Sequence, residues 1–391
     1  AMAYFAMKTR PYGWFKCASW SAARLSAVAA FAACAFCTEA WATTYEVGPG
    51  KALGAISDVP WESLQPGDTV LINWRQAPYK EKITIGVAGS GEAPIVIKGV
   101  PGPGGELPVI DGEDAVTRSG LSCPNEEKSV VRFIKLPGRD TMPSHIVFEA
   151  LEVRNGRKPQ TFTDSTGEKL AYKEDSGLIW FTNGENIVIR NCNFRDGGMG
   201  VVSCDLTRDF VIEGCYFVDN GMEGPDGAYV HQCYMETLGM ITQYNWFSHL
   251  RKDCTGSNLK DRSAGNVIRY NWIEGGTKQI DMPDMYDTDI ARIEAAKAGD
   301  ASLVDDFIDF DYMDRVSFVY GNVLIEPEGD GNPEMVTYGG DMGEPRYYRK
   351  GMLHFYNNTC VSKRTDSTTI LKLKTNDESC DARNNIFYST A

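Results

Sequence analysis

A repeat centred on asparagine or cysteine runs through the second half of the chain and restricts the folds available to it. Each copy has a short β-branched or aromatic run, then Asn or Cys, then further apolar residues. The central positions are Cys192, Cys215, Asn245, Asn271, Asn322, Asn358 and Asn385. They are separated by 23 to 51 residues. Short strands and turns with a period in the twenties are typical of a parallel β-helix.

The repeated asparagine has a physical explanation in such a fold. Successive coils stack at the spacing of neighbouring strands, about 4.8 Å, so each repeat position forms a column along the axis. Stacked asparagines can bond to each other and to the turn backbone. We therefore predict an all-β fold, a right-handed single-stranded parallel β-helix, in which Cys192 and Cys215 extend the column. The 51-residue interval indicates an insertion, and residues 290–297 have the pattern of a short helix.

The rest of the chain divides into a leader and one β-rich domain. Residues 1–42 have a basic start, an apolar run and a final Ala-Trp-Ala, the pattern of a signal peptide. The apolar run is about 11 residues long, too short for a membrane span. We expect less regular coils and a long polar loop in residues 43–175, and regular repeats in residues 176–391. The last repeat ends four residues before the end, so we expect a truncated chain or a partner that covers this end.

The leader and the charge limit the partners. The leader predicts a secreted or periplasmic protein, and a lipid anchor at Cys34 is the less favoured alternative. Removing the leader deletes four positive charges and one negative charge, so the formal charge changes from −14 to −17. Such an acidic chain does not attract nucleic acid. An acidic polysaccharide would need a local cluster of Lys and Arg.

A second column emerges when the strands before the repeats are aligned. Matched from their glycines, His231 and Lys260 take equivalent positions on neighbouring coils, and Asp281 follows if Ile280 points inward. Arg262 lies two residues after Lys260 and so on the same side of the strand. The alignment predicts a histidine, a lysine and a carboxylate separated by about 5 Å per coil.

Around this lysine the sequence resembles the family-six polysaccharide lyases, which include chondroitinase B and alginate lyases. Their motif is Lys-Ser followed by Asn-x-x-x-Arg-x-Asn-x-Phe. This chain has Lys-Asp-Arg-Ser at 260–263 and Asn-Val-Ile-Arg-Tyr-Asn-Trp-Ile at 266–273. The resemblance covers about two coils. It implies a parallel β-helix lyase in which Lys260 is the Brønsted base.

The chain departs from that motif at two places. The family has several acidic calcium ligands just before the lysine, whereas this chain has only Asp253 there. The catalytic arginine of the family falls at Asp281, so Arg262 or Lys278 would have to replace it. Calcium remains a candidate cofactor. Its candidate ligands are Asp253, Asp281 and Asp284.

The residue types suit β-elimination from a uronate polymer. This reaction needs a base at the carbon beside the carboxylate and positive charge at the carboxylate. Lys260 would be the base, Arg262 would bind the carboxylate, and His231 or a tyrosine would protonate the leaving oxygen. Asp281 opposes this scheme, since an adjacent carboxylate favours the charged form of lysine. The candidate substrate-binding residues are Asn258, Lys278, Tyr338, Arg346, Tyr347 and Arg349.

Other function classes remain open. Asp281, Asp284 and Asp287 could supply the two carboxylates of a glycoside hydrolase. The chain lacks the Asn-Thr-Asp or Asp-Asp pair followed by Gly-His-Gly that polygalacturonases carry. A non-catalytic, carbohydrate-binding β-helix is a third hypothesis, and an epimerase would share the first step of the lyase. Loss of activity on changing Lys260 would favour the lyase.

Overall fold

The computed structural model describes residues 42–121, 123–224, 230–284, 316–341, 343 and 348–390. The chain winds there into a parallel β-helix with three sheets, to which each regular coil contributes one strand in turn. The predicted fold class is confirmed. The predicted signal peptide, apart from Ala42, and the predicted helix at 290–297 lie outside the described residues.

Sheet 1 and sheet 2 are joined because two long strands, Gly177–Arg190 and Met199–Glu213, run from one into the other. The other strands of sheet 1 are Ile83–Ile85, Ser129–Phe133, Cys233–Met235, Leu259–Asp261, Ile280–Met282, Glu334–Tyr338 and Thr369–Leu373. The other strands of sheet 2 are Thr44–Val47, Thr69–Asn73, Ile95–Val100, Ser144–Glu149, Ile241–Gln243, Val267–Arg269, Ser317–Tyr320, Met352–Tyr356 and Ser379–Arg383.

From the strand Ser144–Glu149 onward, sheet 3 follows sheet 2 after a turn of two residues. Its strands are Val109–Asp111, Glu152–Arg154, Asn193–Arg195, Tyr216–Val218, Trp246–Phe247, Trp272–Glu274, Val323–Glu326, Thr359–Ser362 and Ile386–Ser389. Neighbouring strands are parallel and in register, as Trp246 with Trp272 shows. The loop after sheet 3 leads to sheet 1 of the next coil.

Two features interrupt this pattern. The polar stretch at 155–175, predicted as a long loop, contains an antiparallel hairpin of Thr161–Thr163 and Lys169–Ala171, which pairs with Ala115–Val116. Two single-turn 3₁₀ helices occur at Ile56–Asp58 and Glu126–Lys128. No helix among the described residues is long and apolar enough to cross a membrane.

The core lies inside the coils because inward-pointing apolar residues alternate with outward-pointing residues along many of the strands. In Val267–Arg269, for example, only the central Ile268 is buried. Inward side chains stack from coil to coil. The rings of Phe194 and Phe217 are 5.0 Å apart, and those of Phe217 and Phe247 are 4.6 Å apart. The core is therefore a continuous column of stacked side chains along the helix axis.

The predicted asparagine column is confirmed. The backbone N–H and the side-chain amide of Asn245 both donate to Oδ1 of Asn271, each at 3.0 Å. The same two bonds connect each later pair in the column, Asn271–Asn322, Asn322–Asn358 and Asn358–Asn385. Cys215 N–H donates to Asn245 Oδ1 at 2.9 Å, so the cysteines extend the column as expected. These bonds satisfy buried polar groups at the turn between sheets 2 and 3.

Candidate functional site

The strand Leu259–Asp261 of sheet 1 positions Lys260. Leu259 is fully buried and points into the core, so Lys260 points outward, with its side chain 14% exposed. Its neighbours in register are Tyr234 on the preceding coil and Asp281 on the following coil. The predicted pairing with Asp281 is confirmed.

The predicted register of His231 is wrong, because Tyr234 takes that position. The glycine alignment made Val230 the inward equivalent of Leu259, but Cys233 fills the core there and pairs with Leu259. Val230 is buried in a separate cluster outside the main core. The start of this strand was predicted incorrectly because Cys233 acts as a small hydrophobic residue and points into the core.

His231 nevertheless lies beside the predicted lysine. It is 3% exposed, and its Nδ1 accepts a hydrogen bond from Ser257 N–H at 2.9 Å. Burial, aided by the nearby charge of Lys260, lowers the pKa of His231 to about 3. The ring is therefore neutral at ordinary pH. Because Nδ1 accepts, Nε2 carries the proton and can donate a hydrogen bond.

This buried histidine predicts a specific pH dependence of stability. The unfolded chain binds a proton at His231 below pH 6.5, whereas the folded chain does so only near pH 3. Its stabilising contribution is thus complete above pH 6.5 and is lost as the pH falls. Between pH 7 and pH 5 we expect the wild type to lose about 2 kcal/mol more unfolding free energy than His231→Gln. Urea unfolding at both pH values measures this difference.

The comparison between two proteins is necessary because another group opposes the effect. Burial raises the pKa of Glu326 to about 7, so Glu326 stabilises the fold more as the pH falls through the same range. Glu326 is present in both proteins, and its contribution cancels. Identical pH dependence of wild type and His231→Gln would contradict the buried neutral histidine.

Asp341 joins the two cations that the sequence predicted to lie together. Its Oδ2 is 2.6 Å from Lys260 Nζ, and its Oδ1 is 2.9 Å from Arg262 Nη2. Lys260 and Arg262 therefore lie on the same side, as predicted, although Arg262 is only 2% exposed. Burial opposes the ionisation of Asp341, but Lys260 and Arg262 outweigh it and lower the pKa of Asp341.

Asp281 and Asp284 have opposite electrostatic environments. Burial acts against the charge of Asp281, but Lys260, 3.6 Å away, and Lys278, 3.0 Å away, lower its pKa. Thr337 also donates a hydrogen bond to Asp281. Asp284 is fully buried, and burial raises its pKa. Asp281 is therefore held ionised, whereas burial makes the ionisation of Asp284 less favourable.

An open groove of about 400 Å³ lies over these residues. Its lining residues are His231, Thr255, Ser257, Lys260, Thr277, Lys278, Asp281, Gly331, Asn332 and Asp341. A second cavity of about 480 Å³ shares Thr255, Thr277 and Gly331 with it and contains Asp253. The two cavities adjoin, so an extended ligand can pass from one to the other. Among the predicted site residues, His231, Lys260, Lys278 and Asp281 line the groove.

Three predicted substrate-binding residues are buried in supporting positions instead. The amide of Asn258 donates to the carbonyls of Glu274 and Gly275 at 2.9 and 2.7 Å. Tyr338 is inside the core. Arg349 is 3% exposed and donates to the carbonyls of Asp261 and Pro283. We therefore correct their predicted role: they position the site and do not line the groove.

Arg346, Tyr347 and Asp287 lie outside the described residues. In the described part of the chain, no three His, Cys, Asp or Glu side chains converge to hold a metal ion. Asp253 lies in the adjoining cavity, and Asp281 and Asp284 already contact cations or N–H donors. The described residues thus do not fit the calcium site that the sequence suggested.

Comparisons with known proteins show the fold. No protein-family model and no curated protein matches the sequence. An alginate lyase from Paenibacillus sp. str. FPU-7 has a TM-score of 0.55 at 9% identity, covering 89% of this chain and 98% of the lyase. Pectate lyase Pel9A has a TM-score of 0.42 at 11% identity, covering 86% and 79%. A GH136 lacto-N-biosidase from Eubacterium ramulus has a TM-score of 0.42 at 12% identity, covering 88% and 68%. At these identities the similarity establishes the parallel β-helix fold that this chain shares with the alginate lyase.

Proposed function

We propose that the protein is a polysaccharide lyase that cleaves a uronate-containing polymer by β-elimination in the groove over Lys260. The observation that carries the proposal is the position of the Asp341 carboxylate between Lys260 and Arg262. A site that binds one carboxylate between two cations suits the carboxylate of a uronate. The fold shared with an alginate lyase supports the choice of substrate class.

In this scheme the substrate carboxylate displaces Asp341 and pairs with Arg262. Neutralising that carboxylate stabilises the enolate-like intermediate that forms when the adjacent carbon loses its proton. Lys260 removes this proton. Displacement of Asp341 breaks its 2.6 Å ion pair with Lys260 Nζ and frees that nitrogen to approach the substrate carbon.

The proton donor to the leaving oxygen lies on the preceding coil. Tyr234 is the register neighbour of Lys260, and the centroid of its ring is 5.8 Å from that of His231. A phenol is a suitable acid near the leaving oxygen, and the Nε2–H of neutral His231 can hold that oxygen by a hydrogen bond. We assign both the hydrogen bond to the leaving oxygen and its protonation to His231, because His231 lines the groove, whereas the Tyr234 hydroxyl is buried and does not.

A glycoside hydrolase is the second candidate, favoured by the opposite pKa shifts of Asp281 and Asp284. Such enzymes use two carboxyls whose pKa values are shifted apart, one as the acid and the other as the base or nucleophile. However, Asp284 is fully buried behind Arg262 and does not line the groove. It cannot protonate a glycosidic oxygen from there, and the lyase is therefore the better proposal.

Ultraviolet absorbance separates the two reactions, since elimination creates a conjugated double bond and hydrolysis does not. The protein is incubated with alginate, pectate, chondroitin, dermatan and heparin-type polymers, each with and without calcium. We expect absorbance to rise with one polymer. New reducing ends with a flat absorbance trace would favour the hydrolase, and neither signal would favour a binding protein.

A further inference from the structure

Four large aromatic side chains are exposed together at the corner between sheets 2 and 3. We call Tyr244, Trp246, Tyr270 and Trp272 the aromatic platform. They are 58%, 53%, 46% and 43% exposed. The described residues contain two other exposed Phe, Tyr or Trp side chains, Phe387 and Tyr388, and both are in the last coil. The platform is separate from the groove, whose catalytic residues lie on sheet 1.

The platform occupies two adjacent coils in matching positions. Trp246 and Trp272 are register partners that point outward beside the buried Phe247 and Ile273. The rings of Tyr244 and Tyr270 stack with centroids 5.3 Å apart and planes 14° apart. The result is two parallel rows of aromatic rings, separated from coil to coil by about one strand spacing.

The backbone at the two tyrosines is in a conformation that tyrosine disfavours. Tyr244 and Tyr270 have φ values of 57° and 56°, in the left-handed region. The equivalent residues of the other coils in the column are Asn191, Gly214, Gly321, Asn357 and Asn384. Glycine and asparagine adopt this conformation at low cost, whereas other residues are strained in it. Such strain commonly occurs where function requires a particular side chain.

A cation lies beside the platform. Arg269 donates to Gln243 Oε1 at 2.7 Å and to the Tyr320 hydroxyl at 2.8 Å. In the described residues Arg269 makes no ion pair with a carboxylate, so its charge is available to an acidic ligand. The corner therefore combines exposed ring faces, polar ring edges and one uncompensated positive charge.

We propose that the aromatic platform is a second, non-catalytic binding surface for an acidic polysaccharide, with sugar rings lying on Trp246 and Trp272 and a uronate carboxylate near Arg269. Tyr and Trp offer an apolar face and a polar edge, which match the two faces of a sugar ring. The platform has no aliphatic members, unlike an apolar protein contact. The choice of polymer rests on the proposed function.

Affinity electrophoresis tests this surface in gels that contain alginate, pectate or chondroitin, with neutral β-glucan as a comparison. The reference protein is Lys260→Ala, which keeps the polymer intact if the proposed lyase activity is correct. We expect the reference protein to be retarded by one acidic polymer. Adding Trp246→Ala and Trp272→Ala should weaken that binding about tenfold or more. Met352→Ala, at another exposed apolar side chain of sheet 2, is the matched control and should leave binding unchanged.

A second pair of variants separates binding from a structural role. Replacing Tyr244 and Tyr270 by Asn relieves the backbone strain, as Asn occupies the same position in other coils. We expect the Tm to stay equal or rise while binding weakens. A fall in Tm with unchanged binding would show that the tyrosines serve the fold, and would overturn the proposal.

The remaining outcomes also decide the question. Unchanged retardation of the tryptophan variant would place all binding in the groove and overturn the platform. The proposal would also be overturned if no polymer retarded the reference protein. It would be overturned as well if the platform variants lost only self-association or vesicle binding. The absorbance assay in the Lys260-containing protein is a separate readout. The proposed lyase activity can therefore be disproved without disproving the aromatic platform, and the platform can be disproved without disproving the lyase activity.

Discussion

Replacing Lys260 by alanine should reduce the rate of β-elimination by about 10²- to 10⁴-fold, the range expected when a general base is removed. The side chain lies in the groove, and the only described carboxylates within 4 Å are Asp281 and Asp341. In the proposed mechanism Lys260 alone removes the proton from the substrate carbon. The measurement is the initial rate of ultraviolet absorbance increase on the polymer that the wild type cleaves.

Lys372→Ala is the matched control for this variant. Lys372 lies in the same outward column of sheet 1, three coils after Lys260, with Asp281 and Thr337 between them. Its ammonium group pairs with Glu334 on the adjacent strand. We expect this control to retain nearly full activity. Equal rates for Lys260→Ala and wild type, with both proteins folded by circular dichroism, would rule out Lys260 as the base.

Replacing Asn322 by alanine should lower the free energy of unfolding by about 3 kcal/mol or more. Asn322 Oδ1 accepts two hydrogen bonds from Asn271, and its amide donates to the Ile268 carbonyl and to Asn358. Alanine leaves several of these buried groups without partners, and each costs about 1–3 kcal/mol. Urea unfolding followed by circular dichroism measures the loss.

Asn385→Ala provides an internal comparison at the end of the described column. It removes the same kinds of bonds to Asn358 and Phe355. Asn385 is only part-buried, so water can replace some of these bonds. We expect less than half the loss seen with Asn322→Ala. Equal losses at both positions would show that burial does not amplify the cost of an unpaired amide here.

The sequence was most informative where residues repeat at the spacing of the coils. The asparagine column and the pairing of Lys260 with Asp281 could be predicted, because both depend on inward apolar residues that alternate in a regular way. The place of Tyr234 could not, since the inward residue of its strand is Cys233, which carries no clear apolar signal. A prediction based on the alternation of hydrophobic residues fails where a cysteine points into the core.

The contacts of Asp341 could not be predicted from the sequence for a different reason. It lies 81 residues after Lys260 in the chain, and the two meet only through the stacking of coils. Similarly, Tyr338 and Arg349 belong to an aromatic and basic segment that suggested a sugar site. The first is a core residue, and the second bonds to backbone carbonyls. The residue types indicated the right region, but only the three-dimensional packing distinguishes the residues that line the groove from those that support it.

The buried cysteines make it possible to measure the order in which the coils of this fold open. Cys192, Cys215, Cys233 and Cys360 lie in different coils and are at most 2% exposed. Burial raises the pKa of Cys215, Cys233 and Cys360, so the reactive thiolate is scarce while the coils stay closed. A thiol reagent then labels each position only after its coil opens. The order of labelling, read by mass spectrometry, would report which part of the solenoid separates first.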